Sequence, residues 1–151
     1  MLPFKKILAP TDFSQSSLKA VERAAELAAH FASELCLVHV HAPVPAMPPD
    51  LNYGFELPVY DDGALSRAEE RLREVVEKSL SPDLMVRTFV QYGDPAREIT
   101  RIAEEERLDL IVIATHGLTG WRHLVFGSVA EKVLRSAPCP VLTLRFPETE
   151  E

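Results

Sequence analysis

The stretch "LDLIVIATHGLTGWRHLVFGSVAEKVL", Leu108 to Leu134, begins as an apolar strand and ends as a helix. Leu108 to Ala114 is almost entirely apolar, as suits a strand buried on both faces of a sheet. A helix is predicted over Ser128 to Ser136. Between the two stand Gly117, Gly120 and Gly127, half of the six glycines in the chain. Glycine costs conformational entropy in a folded segment, so such a cluster implies backbone angles or a close approach that a β-carbon would prevent.

The rest of the chain repeats this strand-then-helix alternation. Apolar runs predict strands over Phe4 to Ala9, Glu34 to Val40, Met85 to Val90 and Val141 to Arg145. Ser16 to Phe31 is a helix by the three- and four-residue recurrence of Leu18, Val21, Ala25, Ala28 and Phe31, and Gly63 to Leu80 is a second, with Leu65, Leu72, Val75, Val76 and Leu80 inward. A third opens at Asp94-Pro95, read as cap and first-turn proline with Glu98 as capping-box partner. Strands joined by helices of this length require right-handed crossovers, hence an α/β class: an open parallel sheet with helices on both faces. One domain over residues 1–146 is expected, followed by an acidic tail, 147–151. Residues 41–62 break the pattern, because Pro43, Pro45, Pro48, Pro49 and Pro58 make a connection too long for a turn, and they read as a flap or an interaction loop.

A 151-residue chain that is 46% hydrophobic and 26% charged can bury a sizeable single core. Its formal net charge of -7 argues against nucleic acid or an acidic membrane surface as partner, since both demand clustered Lys and Arg. Cys36 and Cys139 are far apart and form no metal or redox spacing. No apolar run approaches a membrane span, and Ile7-Leu8-Ala9 before Pro10 is too short for a signal-peptide core, so a cytoplasmic location is expected.

In an open parallel sheet, ligands bind beyond the carboxyl ends of the strands where the winding reverses. Two such connections carry suitable chemistry, Ala9 to Ser14 and Ala114 to Ser128. Gly127-Ser128 lies at the mouth of a helix, whose free N–H groups and dipole attract phosphate. Gly117 lets a second stretch of backbone approach the same anion, and Arg122 or His123 can reach back to add charge. Ser128 with Glu131 also reads as an S-x-x-E capping box, a role that needs no ligand. Asp12 is a helix cap or turn former, a role open to Ser14 as well, and its carboxylate can also accept from two ribose hydroxyls. His39 and His41 share a strand face, but no Cys or carboxylate spacing completes a metal site around them. No catalytic set is apparent: the P-loop G-x-x-x-x-G-K-[ST] and the G-x-G-x-x-G fingerprint are both missing, and His116 and His123 lack a nucleophile elbow.

Ala114-x-x-Gly117, nine residues, then Gly127-Ser128 resembles the G-x2-G-x9-G-[S/T] nucleotide-binding signature of the universal stress protein family, with Ala114 standing where the signature has its first glycine. "KKILAPTDFS", "CLVHV" and "APCPVLTLR" resemble that family as well, in the same order along the chain. The resemblance implies a five-stranded parallel sheet in the order 3-2-1-4-5, of the adenine nucleotide alpha hydrolase-like type. It also implies a site for ATP or another adenine nucleotide, in which Asp12 holds the ribose, Pro10 and Thr11 line the base, and the main chain of Val40 reads the adenine edge. Gly117, Gly127 and Ser128 would surround the phosphates, with a backbone N–H from Val129 and a Mg2+ ion bridging phosphate oxygens. Gly120 falls outside the signature and reads as a loop hinge. Members of the family commonly pair their edge strand with its twin, which implies a homodimer through Val141 to Arg145.

The implied role is a regulatory ATP-binding module in stress response. Two other readings stay open at this point: a slow ATPase, for which only His116, His123 or Asp12 is offered as a water-activating group, and a dimeric interaction protein that binds no nucleotide, which the alanine at position 114 keeps in view.

Overall fold

The computed structural model describes residues 2–43, 62–116 and 127–146. Gly117, Gly120, Trp121, Arg122, His123, the prolines at 45, 48, 49 and 58, and the acidic tail lie outside the described residues.

Alternating burial along the strands explains the layers. In β1 (Lys6–Pro10), β2 (Glu34–His41) and β4 (Leu110–Ala114), successive side chains point to opposite faces of the sheet, and both sets are apolar. Ile7, Leu35, Leu37, Leu110 and Val112 meet α1 (Gln15–Phe31) and α2 (Asp62–Ser79) through Val21, Ala24, Ala28 and Leu72. Leu8, Cys36, Val38, Ile111 and Ile113 meet α3 (Pro95–Glu105) and α4 (Ser128–Ser136) through Ile99, Ile102, Ala130 and Val133. β3 (Val86–Tyr92) and β5 (Val141–Leu144) complete the sheet at its two edges. All pairings are parallel, and the order is β3-β2-β1-β4-β5. The five-stranded α/β sheet with helices on both faces is therefore as expected.

Helix faces are set slightly differently from the expected stripes. In α1 the buried positions are Ser17, Ala20, Val21, Ala24 and Ala28, while Leu18 and Ala25 flank them half-buried. In α2, Ala64, Ala68 and Leu72 face the sheet at four-residue steps and Leu65 is half-buried beside them. Small residues in these stripes let the helices approach the sheet closely. Three strands start later than read, β1 at Lys6, β3 at Val86 and β4 at Leu110. The exposed Met85 precedes β3, its carbonyl accepting from the Leu35 N–H at 2.8 Å.

The entry to α3 corrects one detail. Asp94 caps it, its carboxylate accepting from the Arg97 N–H at 3.0 Å. Glu98 stands four residues beyond the cap instead of three, one position past the reach of a capping box, and its carboxylate binds the Arg101 guanidinium at 2.7 Å.

Candidate functional site

With β1 and β4 adjacent, their connections leave in opposite directions, to α1 on one face and α4 on the other. The resulting crevice at their carboxyl ends holds a cavity of about 430 Å³. Pro10, Thr11, Asp12, Val40, Ala114, Gly127, Ser128 and Val129 all line it, so eight of the nine candidate residues are brought together; the ninth, Gly117, lies outside the described residues. Three segments separated by up to a hundred residues thus converge on one space.

The first wall is a tightly tied turn. The Thr11 N–H donates to the Val38 carbonyl at 2.8 Å, and the Thr11 hydroxyl lies 2.9 Å from that of Ser17 and accepts from the Phe13 N–H at 3.0 Å. Phe13 adopts φ 65, a left-handed conformation that a bulky residue holds only when its surroundings impose it. One carboxylate oxygen of Asp12 accepts from the Ser14 N–H at 2.9 Å, forming an Asx turn, whereas the helix cap is Ser14, whose hydroxyl accepts from the Ser17 N–H at 3.3 Å. Of the two roles open to Asp12, turn former and cap, the structure assigns it the first.

The second wall is the end of β2. Pro10, the last residue of β1, pairs with Val38, and the Val38 carbonyl faces β1 while the His41 carbonyl faces β3. By strand alternation the main-chain N–H and C=O of Val40 face β1's side as well, beyond the residue where β1 stops. They are directed into the crevice. His39, one residue earlier, turns its ring to the α1/α2 face, where it lies 4.7 Å from the Phe13 ring, centroid to centroid.

The third wall answers why Gly127 is a glycine. Its N–H bonds the Thr115 carbonyl oxygen, and a β-carbon built on it would sit 2.9 Å from that same oxygen, inside any normal contact. Here the approaching object is the chain's own backbone at the end of β4. Gly127 has φ -67 and needs no unusual backbone angle. Ser16 adds a second tie, donating its hydroxyl to the His116 carbonyl at 2.7 Å and joining the two connections across the crevice.

The start of α4 also corrects the reading of Ser128. Gly127 is the N-cap and Ser128 the first helical residue, exposed, and no side-chain cap bond is made there. Glu131 pairs with Arg135 at 2.8 Å instead. The apparent S-x-x-E box is out of phase with the helix by one residue, so Ser128 has no capping role, and among the described residues no side chain caps the leading N–H groups of α4 at the cavity.

Ala114 belongs to the β4 set that includes Leu110 and Val112, so its methyl is directed to the α1 side of the sheet, opposite the face that Ile113 shares with Ala130. An added methyl at this signature position therefore does not point at the start of α4. His39 and His41 stand 6.4 Å apart as rings, His39 engaged by the Thr11 carbonyl at 2.9 Å and His41 edge-on to Tyr92; among the described residues no group of three His, Cys, Asp or Glu side chains is placed for a metal ion. Ser16, Ser17 and the apolar Pro95, Ile99 and Ala130 were not foreseen as parts of the site; Ser16 reaches it through the His116 carbonyl, a hundred residues away in sequence. No described helix is long and apolar enough to cross a membrane.

A universal stress protein of Methanocaldococcus jannaschii is 34% identical to this chain over 147 residues, covering 97% of the chain and 85% of the relative. The solved structure of another Methanocaldococcus jannaschii protein, itself a universal stress protein, superimposes with a TM-score of 0.77 at 27% identity, covering 97% of this chain and 99% of that one. At 24% and 21% identity, a universal stress protein solved with cAMP and one from Archaeoglobus fulgidus solved with dAMP share the fold, with TM-scores of 0.63 and 0.64 and 95% of this chain covered in each case. The universal stress protein family model matches residues 3–145, and on that match, with the sheet order and the relatives in agreement, the chain belongs to the universal stress protein family.

Proposed function

We propose that this chain is an adenine nucleotide-binding regulatory module whose resident ligand is ATP carried with Mg2+. The observation that carries the reading is the convergence on one crevice of the start of α4, which no described side chain caps, the Asp12 turn and the outward main chain of Val40. The start of α4 offers N–H groups and a positive dipole end to phosphate, in a protein whose net charge of -7 gives anions no general attraction. Asp12 would accept from the ribose hydroxyls, Pro10 and Thr11 would border the base, and Val40 would meet the adenine edge with its N–H and C=O. Gly117, Gly127, Ser128 and Val129 would enclose the phosphates. The magnesium would arrive on the polyphosphate, whose oxygens suit a hard cation. Relatives of the same fold that were solved with cAMP and dAMP support an adenine nucleotide as ligand class.

Binding to the folded state alone stabilises it by about 2.7 kcal/mol when ligand is at a hundredfold excess over Kd. Thermal unfolding with millimolar Mg-ATP tests the reading: a rise of several degrees is expected, and an unchanged Tm with ATP, ADP and AMP alike rejects it. In this reading a cytoplasmic homodimer, joined through the β5 edge, presents the occupied site to partner proteins.

A further inference from the structure

His39 lines the crevice beside Val40, and it also holds the turn that carries Asp12. Its Nδ1 lies 2.9 Å from the Thr11 carbonyl oxygen. A carbonyl only accepts, so the proton sits on Nδ1 and the tautomer is determined by this one bond. On the same side of the sheet the Phe13 ring lies 4.7 Å from the imidazole, and the Arg71 guanidinium of α2 lies 4.1 Å from the centre of the Phe13 ring. The ring of the left-handed Phe13 is in contact with both the guanidinium and the imidazole. Asp12 is thus bracketed by two residues fixed from β2 and α2: Thr11 through its carbonyl and Phe13 through its ring.

We propose that His39 is a specificity-determining positioning residue: by fixing the Thr11 carbonyl and supporting Phe13 it aims the Asp12 carboxylate, and so sets how strongly the crevice prefers a ligand bearing ribose hydroxyls. The proposal rests on the nucleotide reading above. It separates two things that a general loss of structure would confound, because His39 should matter only for ligands on which Asp12 has hydroxyls to bind. Removing a hydrogen bond to a charged acceptor costs roughly tenfold or more in affinity.

The test titrates Mg-ATP and Mg-2′,3′-dideoxy-ATP by calorimetry into the wild type, His39→Leu, His39→Asn, Asp12→Ala and the double variant Asp12→Ala with His39→Leu. Wild type should prefer ATP. His39→Leu should lose about tenfold on ATP and little on the dideoxy analogue, His39→Asn should recover most of that loss because its amide N–H can replace Nδ1–H, and His39→Leu should cost nothing further in an Asp12→Ala background. Equal losses on both probes overturn the proposal, as does a wild type that binds the two probes equally, and in both cases nucleotide binding itself still stands. A wild type that binds neither probe removes the nucleotide reading. Imidazole 15N shifts of the wild type give a readout independent of variant folding: a neutral Nε2–H tautomer for His39 contradicts the bond on which the proposal depends.

Discussion

The amide of Gly127 bonds the Thr115 carbonyl, and the same oxygen occupies the space a side chain at 127 would need, 2.9 Å from its β-carbon. The obstruction is main chain at the end of a fully buried strand, so it cannot swing aside as a flexible side chain would. Gly127→Ala must therefore move the first turn of α4 away from β4. The expected cost is about 1–3 kcal/mol of stability, typical of overpacking, together with weaker adenine nucleotide binding. Urea unfolding with and without Mg-ATP measures both, and unchanged stability would show that the connection relaxes freely.

Two residues that look alike as caps should behave differently. Asp94 caps α3 through the Arg97 N–H, so Asp94→Ala should destabilise the protein by about 1 kcal/mol. Ser128 is exposed within the first turn of α4 and caps nothing, so Ser128→Ala should change stability by less than about 0.5 kcal/mol. If Ser128 touches phosphate, its variant instead shows reduced nucleotide affinity. Chemical denaturation of the two variants side by side distinguishes them, and a Ser128→Ala loss as large as that of Asp94→Ala would contradict the helix boundary.

Strand and helix order was legible because burial on both faces writes itself as apolar runs, as in Leu110–Ala114. The strand order was not: nothing in the periodicity of β1 says that its neighbours are β2 and β4, and only the family resemblance implied it. The Ser128 misreading arose from phase, whereas Glu98, four residues after Asp94, never had the three-residue spacing of a capping box. Ser128 and Glu131 have the spacing of a capping box, but whether the helix begins before or after Ser128 depends on the Gly127–Thr115 contact, which joins residues twelve apart in sequence. Asp12 was readable as chemistry and ambiguous as structure until Ser14 proved to hold the cap. The His39–Thr11 bond had no local signal, since it forms only when β2 lies beside β1.

The open edge of β5 supplies a test of assembly. The Leu144 carbonyl accepts from the Thr115 N–H and the Pro140 carbonyl from the Ile111 N–H, so even-numbered residues bond β4 and the N–H of Thr143 faces outward. Leu142 on this strand is an exposed apolar side chain. Thr143→Pro removes an outward donor while leaving the β4 ladder intact, as edge strands tolerate. Light scattering after size exclusion should give a dimer for wild type and a monomer for Thr143→Pro. A monomeric wild type at micromolar concentration rejects the edge-paired dimer.

His39 should also make stability depend on pH in a defined direction. Burial holds its pKa below the ordinary 6.5, outweighing the Thr11 carbonyl bond that favours the charged form; His41 and Arg71 oppose the charge and Asp12 favours it. Above pH 6.5 the imidazole is neutral in both folded and unfolded chains, and no proton is exchanged on unfolding. As pH falls below 6.5 the unfolded chain takes up a proton that the folded chain still refuses, so unfolding becomes more favourable until the lowered folded pKa is passed. The stability advantage of wild type over His39→Asn should accordingly be greatest above pH 6.5 and shrink below it. Carboxylate titrations common to both proteins cancel in the difference. Urea unfolding of the pair at pH 7.5, 6.5 and 5.5 measures this advantage, and a difference that stays constant over the range would mean that His39 titrates alike in folded and unfolded chains.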